Sequence, residues 1–288
     1  MKISINKSAK RVFSLTLALA MVIGTLFTAT VGTSIVANAE AAAPIKEGTI
    51  DLLEFGQYLK DAGSTSTYYD TVVADNGETG DSWDNAIIID SAEELVYLCK
   101  ASGDETKGKY YKVADGIAGF DLSAGNLDLN GTLADNLAKI QAGGKNHAGG
   151  GNAFQGYFDG NDAVVYGAWT NHNSISPYAG LFTQTKGGVI IKNIHVKFAS
   201  FTATAVAGGI IGYSKADDMC TVTIENCSVT DSHLEVTTST WGNGAGAIVG
   251  RGGSAPSYKD DAGNTVYVDV IYNIKNCYVN LDEDYFIT

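Results

Sequence analysis

Apolar and polar residues alternate along much of this chain, and in three places the alternation breaks at the same point. Val189-Ile-Ile-Lys-Asn-Ile-His-Val196, Val222-Thr-Ile-Glu-Asn-Cys-Ser-Val229 and Tyr272-Asn-Ile-Lys-Asn-Cys-Tyr-Val279 align without gaps. Each reads apolar-x-apolar-x-Asn-apolar-x-apolar. A weaker fourth copy, Ala163-Val-Val-Tyr-Gly-Ala-Trp-Thr170, carries Gly167 where the others carry Asn. Alternation of period two marks a strand with one buried face. Val189 and Ile191 then point inward, and so do Ile194 and Val196, which a straight strand cannot arrange. A corner can, if one residue takes the left-handed conformation that Gly and Asn tolerate. Gly167, Asn193, Asn226 and Asn276 are therefore predicted to be equivalent corners, with stacked Asn side chains bonding to one another.

A second motif interleaves with the first: Ala179-Gly-Leu-Phe182, Ala207-Gly-Gly-Ile-Ile-Gly212 and Ala245-Gly-Ala-Ile-Val-Gly250 each precede a copy of the Asn motif. Corner spacings of 26, 33 and 50 residues lie in the range of solenoid repeats. The expected fold is all-β, a right-handed parallel β-helix. A β-sandwich also has many short strands but gives no reason for a repeated break at Asn. Helical repeats are excluded, since no copy has a 3.6-residue period. In register, Lys192, Glu225 and Lys275 stack outward, and Cys227 stacks on Cys277 as buried free thiols, because parallel Cβ vectors strain a bridge.

Ser91-Ala-Glu-Glu94 forms a capping box, predicting a short helix over about 91–101 that covers the open end of the solenoid. A second, weaker helix is expected around Leu133–Gln141, and a loop over 143–152. The N-terminus has Lys2, Lys7, Lys10 and Arg11 before a long apolar stretch, then Ala37-Asn38-Ala39, the pattern of a secretory signal peptide over residues 1–39. The expected organisation is that signal, an extension over 40–84 of unassigned structure, and the β-helix over 85–288. After Val279 only nine residues remain, too few for another coil. The expectation is a truncated piece, or an end covered by end-to-end self-association.

Export strips four of the 19 basic residues and none of the 32 acidic ones, leaving a formal charge of −17. Nucleic acid is then an unfavourable partner, and divalent cations become favourable ones. No second stretch is apolar enough to span a membrane. Arg251 is the one arginine left. His147, His172, His195 and His233 share no metal-binding spacing, and no zinc-protease or Gly-x-Ser-x-Gly motif is present.

At Ile89-x-x-Ala-Glu-Glu-Leu95, Gly108-Lys-Tyr-Tyr-Lys-Val113, Phe154-Gln-Gly-Tyr-Phe-Asp-Gly-Asn161, Ala179-Gly-Leu-Phe182 and Gly208-Gly-Ile-Ile-Gly212 the chain resembles extracellular bacterial β-helix proteins carrying the GLUG motif. Such segments occur beside immunoglobulin A peptidases and in cell-surface proteins. The resemblance covers about residues 85–280 and implies fold and location more than activity, since these segments are usually non-catalytic.

The expected function is a secreted or cell-surface adhesion-type module without catalytic residues, with a glycan or a surface protein as ligand. A polysaccharide lyase or glycoside hydrolase is the alternative, and a stalk or spacer a third. The connections 183–188, 213–221 and 251–268 should emerge along one edge. They carry Asp217, Asp218, Asp260, Asp261, Tyr213 and Tyr258, a candidate glycan or Ca²⁺ site, since loop oxygens suit calcium. A solvated acidic edge explains the same residues and is the favoured reading. Asp159-Gly-Asn161-Asp162 has the composition of a calcium loop but fits a tight turn better.

Overall fold

The computed structural model describes residues 44–47, 78–100, 103–123, 125–143, 152–171, 177–215, 220–238, 244–253, 257–267 and 270–281. The expected signal segment, most of the 143–152 loop, and Asp217 and Asp218 lie outside them. First along the chain come β1 (Ile45–Glu47), β2 (Ile87–Ile89), helix α1 (Ala92–Lys100), β3 (Tyr110–Val113), β4 (Gly119–Asp121) and helix α2 (Leu133–Gly143). Three comparable runs of strands follow. The first holds β5 (Tyr157–Tyr166), β6 (Trp169–Asn171), β7 (Tyr178–Ala179) and β8 (Phe182–Lys186). The second holds β9 (Ile190–Lys197), β10 (Ser200–Ala203), β11 (Val206–Gly208) and β12 (Ile211–Lys215). The third holds β13 (Cys220–Glu225), β14 (Ser228–Thr230), β15 (His233–Val236), β16 (Gly244–Gly246) and β17 (Val249–Gly252). A hairpin of β18 (Ser257–Lys259) and β19 (Thr265–Tyr267) then leads to β20 (Val270–Lys275) and β21 (Tyr278–Asn280).

The described chain is mostly strand, and every pairing between named strands is parallel except that of the β18–β19 hairpin. Each strand pairs with its counterpart in the neighbouring run. Strand β9 lies between β5 and the β13–β14 pair, β10 between β6 and β15, β11 between β7 and β16, and β12 between β8 and β17. The largest sheet has ten strands, and β1 joins it by pairing with β4.

The Asn motif behaves as its alternation requires. Val189, Ile191, Ile194 and Val196 are all fully buried, with the change of parity at Asn193. Asn193, Asn226 and Asn276 have φ of 53°, 53° and 52°. The Asn226 Nδ2 donates to Asn193 Oδ1 at 3.0 Å, and Asn193 Nδ2 to Asp159 Oδ1 at 2.9 Å.

The fourth copy is different. Gly167 has a left-handed φ of 65°, but Tyr166 pairs with Lys197, so Gly167 stands beside Phe198 (φ 54°) rather than Asn193. In the next run Asp231 (φ 44°) follows Thr230, the partner of Lys197. Gly167 thus belongs to a second line of corners, five residues beyond the first. Opposite Asn193 lie Asn161 and Asp162, with φ of 51° and 61°, inside an irregularity of β5. The segment read as a calcium-loop-like turn is the Asn corner of the first run. The gapless alignment missed it because this corner uses two left-handed residues instead of one.

Outward on the large sheet, Lys112, Asp159, Lys192, Glu225 and Lys275 occupy successive paired positions. Charge alternates at every step, which neighbouring strands favour. Lys192 Nζ is 3.0 Å from Asp159 Oδ2.

Helix α1 opens on the capping box: Glu94 N donates to Ser91 Oγ, and Ser91 N and Asp90 N donate to Glu94 Oε2. Its residues are buried nearly all round, Lys100 included. Helix α2 has a cap that the sequence reading did not use, with Asp135 N donating to Thr132 Oγ1 at 3.2 Å. Its Leu133, Leu137 and Ile140 pack with Phe198 in a small core of their own. The main core runs through the runs of strands, with Phe158, Phe182, Ile191, Phe201, Ile211 and Ile224 fully buried. At β20 and β21 this changes: Ile271, Ile274, Tyr278 and Val279 are exposed, and no described strand pairs beyond them.

Candidate functional site

The three-stranded sheet β8–β12–β17 holds the edge where the connections were expected to emerge. Period-two alternation sends Thr183, Thr185 and Ser214 inward and Gln184, Lys186, Tyr213, Lys215 and Arg251 outward. Register pairs Gln184 with Tyr213, Tyr213 with Arg251, and Lys186 with Lys215. Tyr178, from β7, stacks its ring on Tyr213 with centroids 4.7 Å apart and planes 21° from parallel. Burial and the neighbouring Tyr213 raise the Tyr178 hydroxyl above its ordinary range, against a weaker opposing pull from Arg251.

Beside this face lies a cleft of about 350 Å³, lined by Gly103, Asp104, Glu105, Asn152, Ala153, Gln155, Gln184, Lys186 and Lys215. Its far wall is built by hydrogen bonds of definite purpose. Thr106 closes the short turn Asp104–Thr106 by donating its hydroxyl to Gly103 O at 2.7 Å, and Thr106 Oγ1 in turn accepts Gln155 N at 2.9 Å. Gln155 Nε2 donates to Asp104 Oδ1 at 2.6 Å, and Tyr97 Oη donates to Glu105 Oε1 at 3.2 Å. Residue 154 bridges to β8, with Phe154 N donating to Gln184 O and Lys186 N to Phe154 O. Gly156 lets this segment pass: a Cβ there would lie 2.7 Å from the carbonyl oxygens of Lys109 and Thr106.

Of the six candidate residues, Tyr213 stands in this site. Tyr258 lies on β18, paired with Val266. Asp260 is committed to the turn of that hairpin. Its Oδ1 accepts the backbone N–H groups of Ala262 and Asn264, its Oδ2 accepts Asn264 Nδ2, and these bonds hold its carboxyl below the usual range. Asp261 is exposed in the same turn. Among the described residues no three His, Cys, Asp or Glu side chains gather as a metal site.

The sequence reading missed Lys186 and Lys215, although each stands four residues after the apolar residue that opens its strand, in Phe182-Thr-Gln-Thr-Lys186 and Ile211-Gly-Tyr-Ser-Lys215. Asp104, Glu105 and Gln155 carry no such signal, since they meet the lysines only through the packing of distant segments.

Comparison with protein-family models, with curated proteins and with solved structures finds no match to this chain. Among the described residues no helix is long and apolar enough to cross a membrane.

Proposed function

We propose that this chain is an exported, non-enzymatic surface module, a right-handed parallel β-helix, that binds glycans along the face of β8–β12–β17. Support for the architecture comes from strand runs that pair in parallel with their counterparts and from the left-handed corners at Asn193, Asn226 and Asn276. Support for export comes from the basic, apolar and Ala-Asn-Ala pattern of the first 39 residues. The resemblance to GLUG-motif segments points to the same location.

The observation that carries the ligand class is a shared residue. Gln184 lines the polar cleft and also pairs with Tyr213, whose ring stacks on Tyr178. An aromatic surface next to a cleft of amides, carboxylates and ammonium groups suits a sugar, which presents an apolar C–H face and a rim of hydroxyls. Glycan-array binding of the purified chain, with and without Ca²⁺, is the test. The expected result is retention of a defined glycan set that Tyr213→Ala and Gln184→Ala both weaken. A folded chain that retains no glycan under either condition overturns the reading.

A second reading has one specific observation in its favour. Asp104 and Glu105 share the cleft with Lys186 and Lys215, so acidic and basic groups of the kind a polysaccharide lyase or hydrolase uses face one space. Each carboxylate is engaged by a neighbour, Gln155 or Tyr97, which favours binding over proton transfer. Release of unsaturated or reducing sugar ends from a retained glycan would turn the reading to the enzyme.

A further inference from the structure

We infer that the outer edge of β20 and β21 is a docking site for one extended segment of a partner protein. The segment adds as a further parallel strand and carries a carboxylate directly before an Asn or Gly. The inference is independent of the glycan-binding reading, which concerns another face.

The backbone leaves this edge open. Lys275 O accepts Asn226 N, and Tyr278 N donates to Cys227 O, so these two residues face the preceding strands. Polar groups alternate in direction along a strand, so the amides and carbonyls of Tyr272, Ile274 and Val279 point to the outer edge. Among the described residues no strand pairs there. Ile274 continues the inward row of Ile191 and Ile224, yet it is 48% exposed where they are 0%. Val279 ends the row of Val196 and Val229 in the same way.

Open edges invite pairing, and proteins blunt them with charge, proline or a cover. At its other end this chain does so. Ile89 O accepts Ala114 N, which turns the Ile88 amide outward, and that amide donates to Glu78 Oε2 at 2.8 Å. Strands β20 and β21 carry a single charge, Lys275, and no proline.

The rows that end here specify what fits. From Lys112 through Asp159, Lys192 and Glu225 to Lys275 the sign alternates, so the next strand meets Lys275 best with Asp or Glu. Asn193, Asn226 and Asn276 are all left-handed corners, so a strand following them turns with Asn or Gly at the next position. Apolar residues on either side of that pair would cover Ile274 and Val279.

The chain's own copy Val222-Thr-Ile-Glu-Asn-Cys-Ser-Val229 has this chemistry, whereas Lys192-Asn193 and Lys275-Asn276 have the wrong charge. In the folded chain that copy is paired on both sides and cannot serve a second molecule. The opposite end of a second copy does not fit either. Ile88 stands there in the row of Lys275, and its amide is already taken.

That copy supplies the probe. A labelled, capped peptide of residues 220–230, with Cys220→Ser and Cys227→Ala to prevent crosslinking, is titrated with the full chain and followed by fluorescence anisotropy. The expected result is saturable binding, weakened at least roughly fivefold when the peptide carries Glu225→Lys, as the reversal of a cross-strand charge pair gives. In the chain, Lys275→Glu at its exposed position should reverse the order of the two peptides. Thr223 N donates to Val189 O in the fold, and the same amide of the peptide would donate to Tyr272 O. Methylating that amide should abolish binding.

Binding that ignores the charge reversal or the methyl group overturns the inference, since the contact is then apolar adhesion and not strand pairing. A monomeric chain that binds none of the peptides overturns it too. So does a concentration-dependent dimer in sedimentation that excludes the peptide, which would make a second copy the occupant.

Discussion

Lys100 ends helix α1 with its side chain fully inside the protein, 1% exposed. Its ammonium nitrogen donates to the Gly180 carbonyl at 2.6 Å and to Thr170 Oγ1 at 3.2 Å, and lies 5.3 Å from the centre of the Phe201 ring. Burial, opposed weakly by the neighbouring Cys99, drives its pKa from 10.5 down to about 7. Between those values the unfolded chain binds a proton that the folded chain does not, so stability rises with pH across that window and is flat below it. The full shift corresponds to about 5 kcal/mol, an order-of-magnitude figure for a group without solvent screening.

Replacing Lys100 by Met keeps the apolar stem and removes the charge. Two acceptors lose their donor, each costing about 1–3 kcal/mol, and the removed ionic cost more than offsets one of them. Set against an ionic cost of about 5 kcal/mol, the two lost bonds leave a net change at pH 7 between a loss of about 1 and a gain of about 3 kcal/mol. The pH dependence is the sharper readout. From pH 7 to 9 the parent should gain about 2 kcal/mol relative to Lys100→Met, or roughly 4–8 °C in melting temperature for a chain of this size. Taking the difference between the two proteins cancels the other groups that titrate there. Cys99 is one of them, its thiol pushed up by burial so that it costs stability at still higher pH. A parent melting curve that tracks the variant in parallel from pH 7 to 9 would refute the account, and so would a parent that loses stability relative to the variant over that range.

Three further outcomes follow from the corners and ladders. Asn193→Ala should destabilise by about 1 kcal/mol more than Asn193→Gly in denaturant titration, because both lose the Asn ladder but only glycine accepts φ of 53° freely. Cys277 should be alkylated before Cys99 and Cys227. A hydrogen bond from the Cys227 thiol lowers Cys277, while the same bond and burial raise Cys227. Recovery of a Cys227–Cys277 crosslinked peptide by mass spectrometry would contradict the free pair. For Asp159, burial raises the carboxyl, but bonds from Asn193, Asn161 and Lys192 together hold it below 3.8. Its contribution is present above the unfolded value and is lost as pH falls through the folded one, so Asp159→Asn should flatten part of the acid limb of the stability curve.

What the sequence made legible follows from how locally each feature is determined. The break in alternation at Asn193 and Asn226 is written in eight consecutive residues, because strand period and left-handed tolerance are both local properties. From those corners the outward stack of Lys192, Glu225 and Lys275 follows without further information. Gly167 misled because left-handed residues mark two lines of corners, and a glycine does not say which line it serves. The signal that separates them is the five-residue step from Asn193 to Phe198 and from Asn226 to Asp231, but Phe198 is a residue type that rarely takes positive φ and so gives no warning.

The cleft was harder to read for a physical reason. Parallel strands bring together residues about 30 positions apart at a fixed register, so Lys186 and Lys215 can be paired once the repeat length is known. Asp104 and Gln155 are 51 positions apart and meet outside the strict repeat, through a turn locked by Thr106 and a segment threaded past it at Gly156. The opposite lesson holds for the acidic residues of the hairpin. Asp260 was singled out for its charge, yet Asp-Asp-Ala-Gly-Asn at 260–264 is also what a tight turn requires, and its carboxylate is spent on the turn's own amides. Carboxylates in loops satisfy backbone donors first, so a ligand site on a repetitive sheet is better sought among outward strand positions. There the backbone donors and acceptors are already paired, and a side chain such as Lys215 or Tyr213 is left to face a ligand.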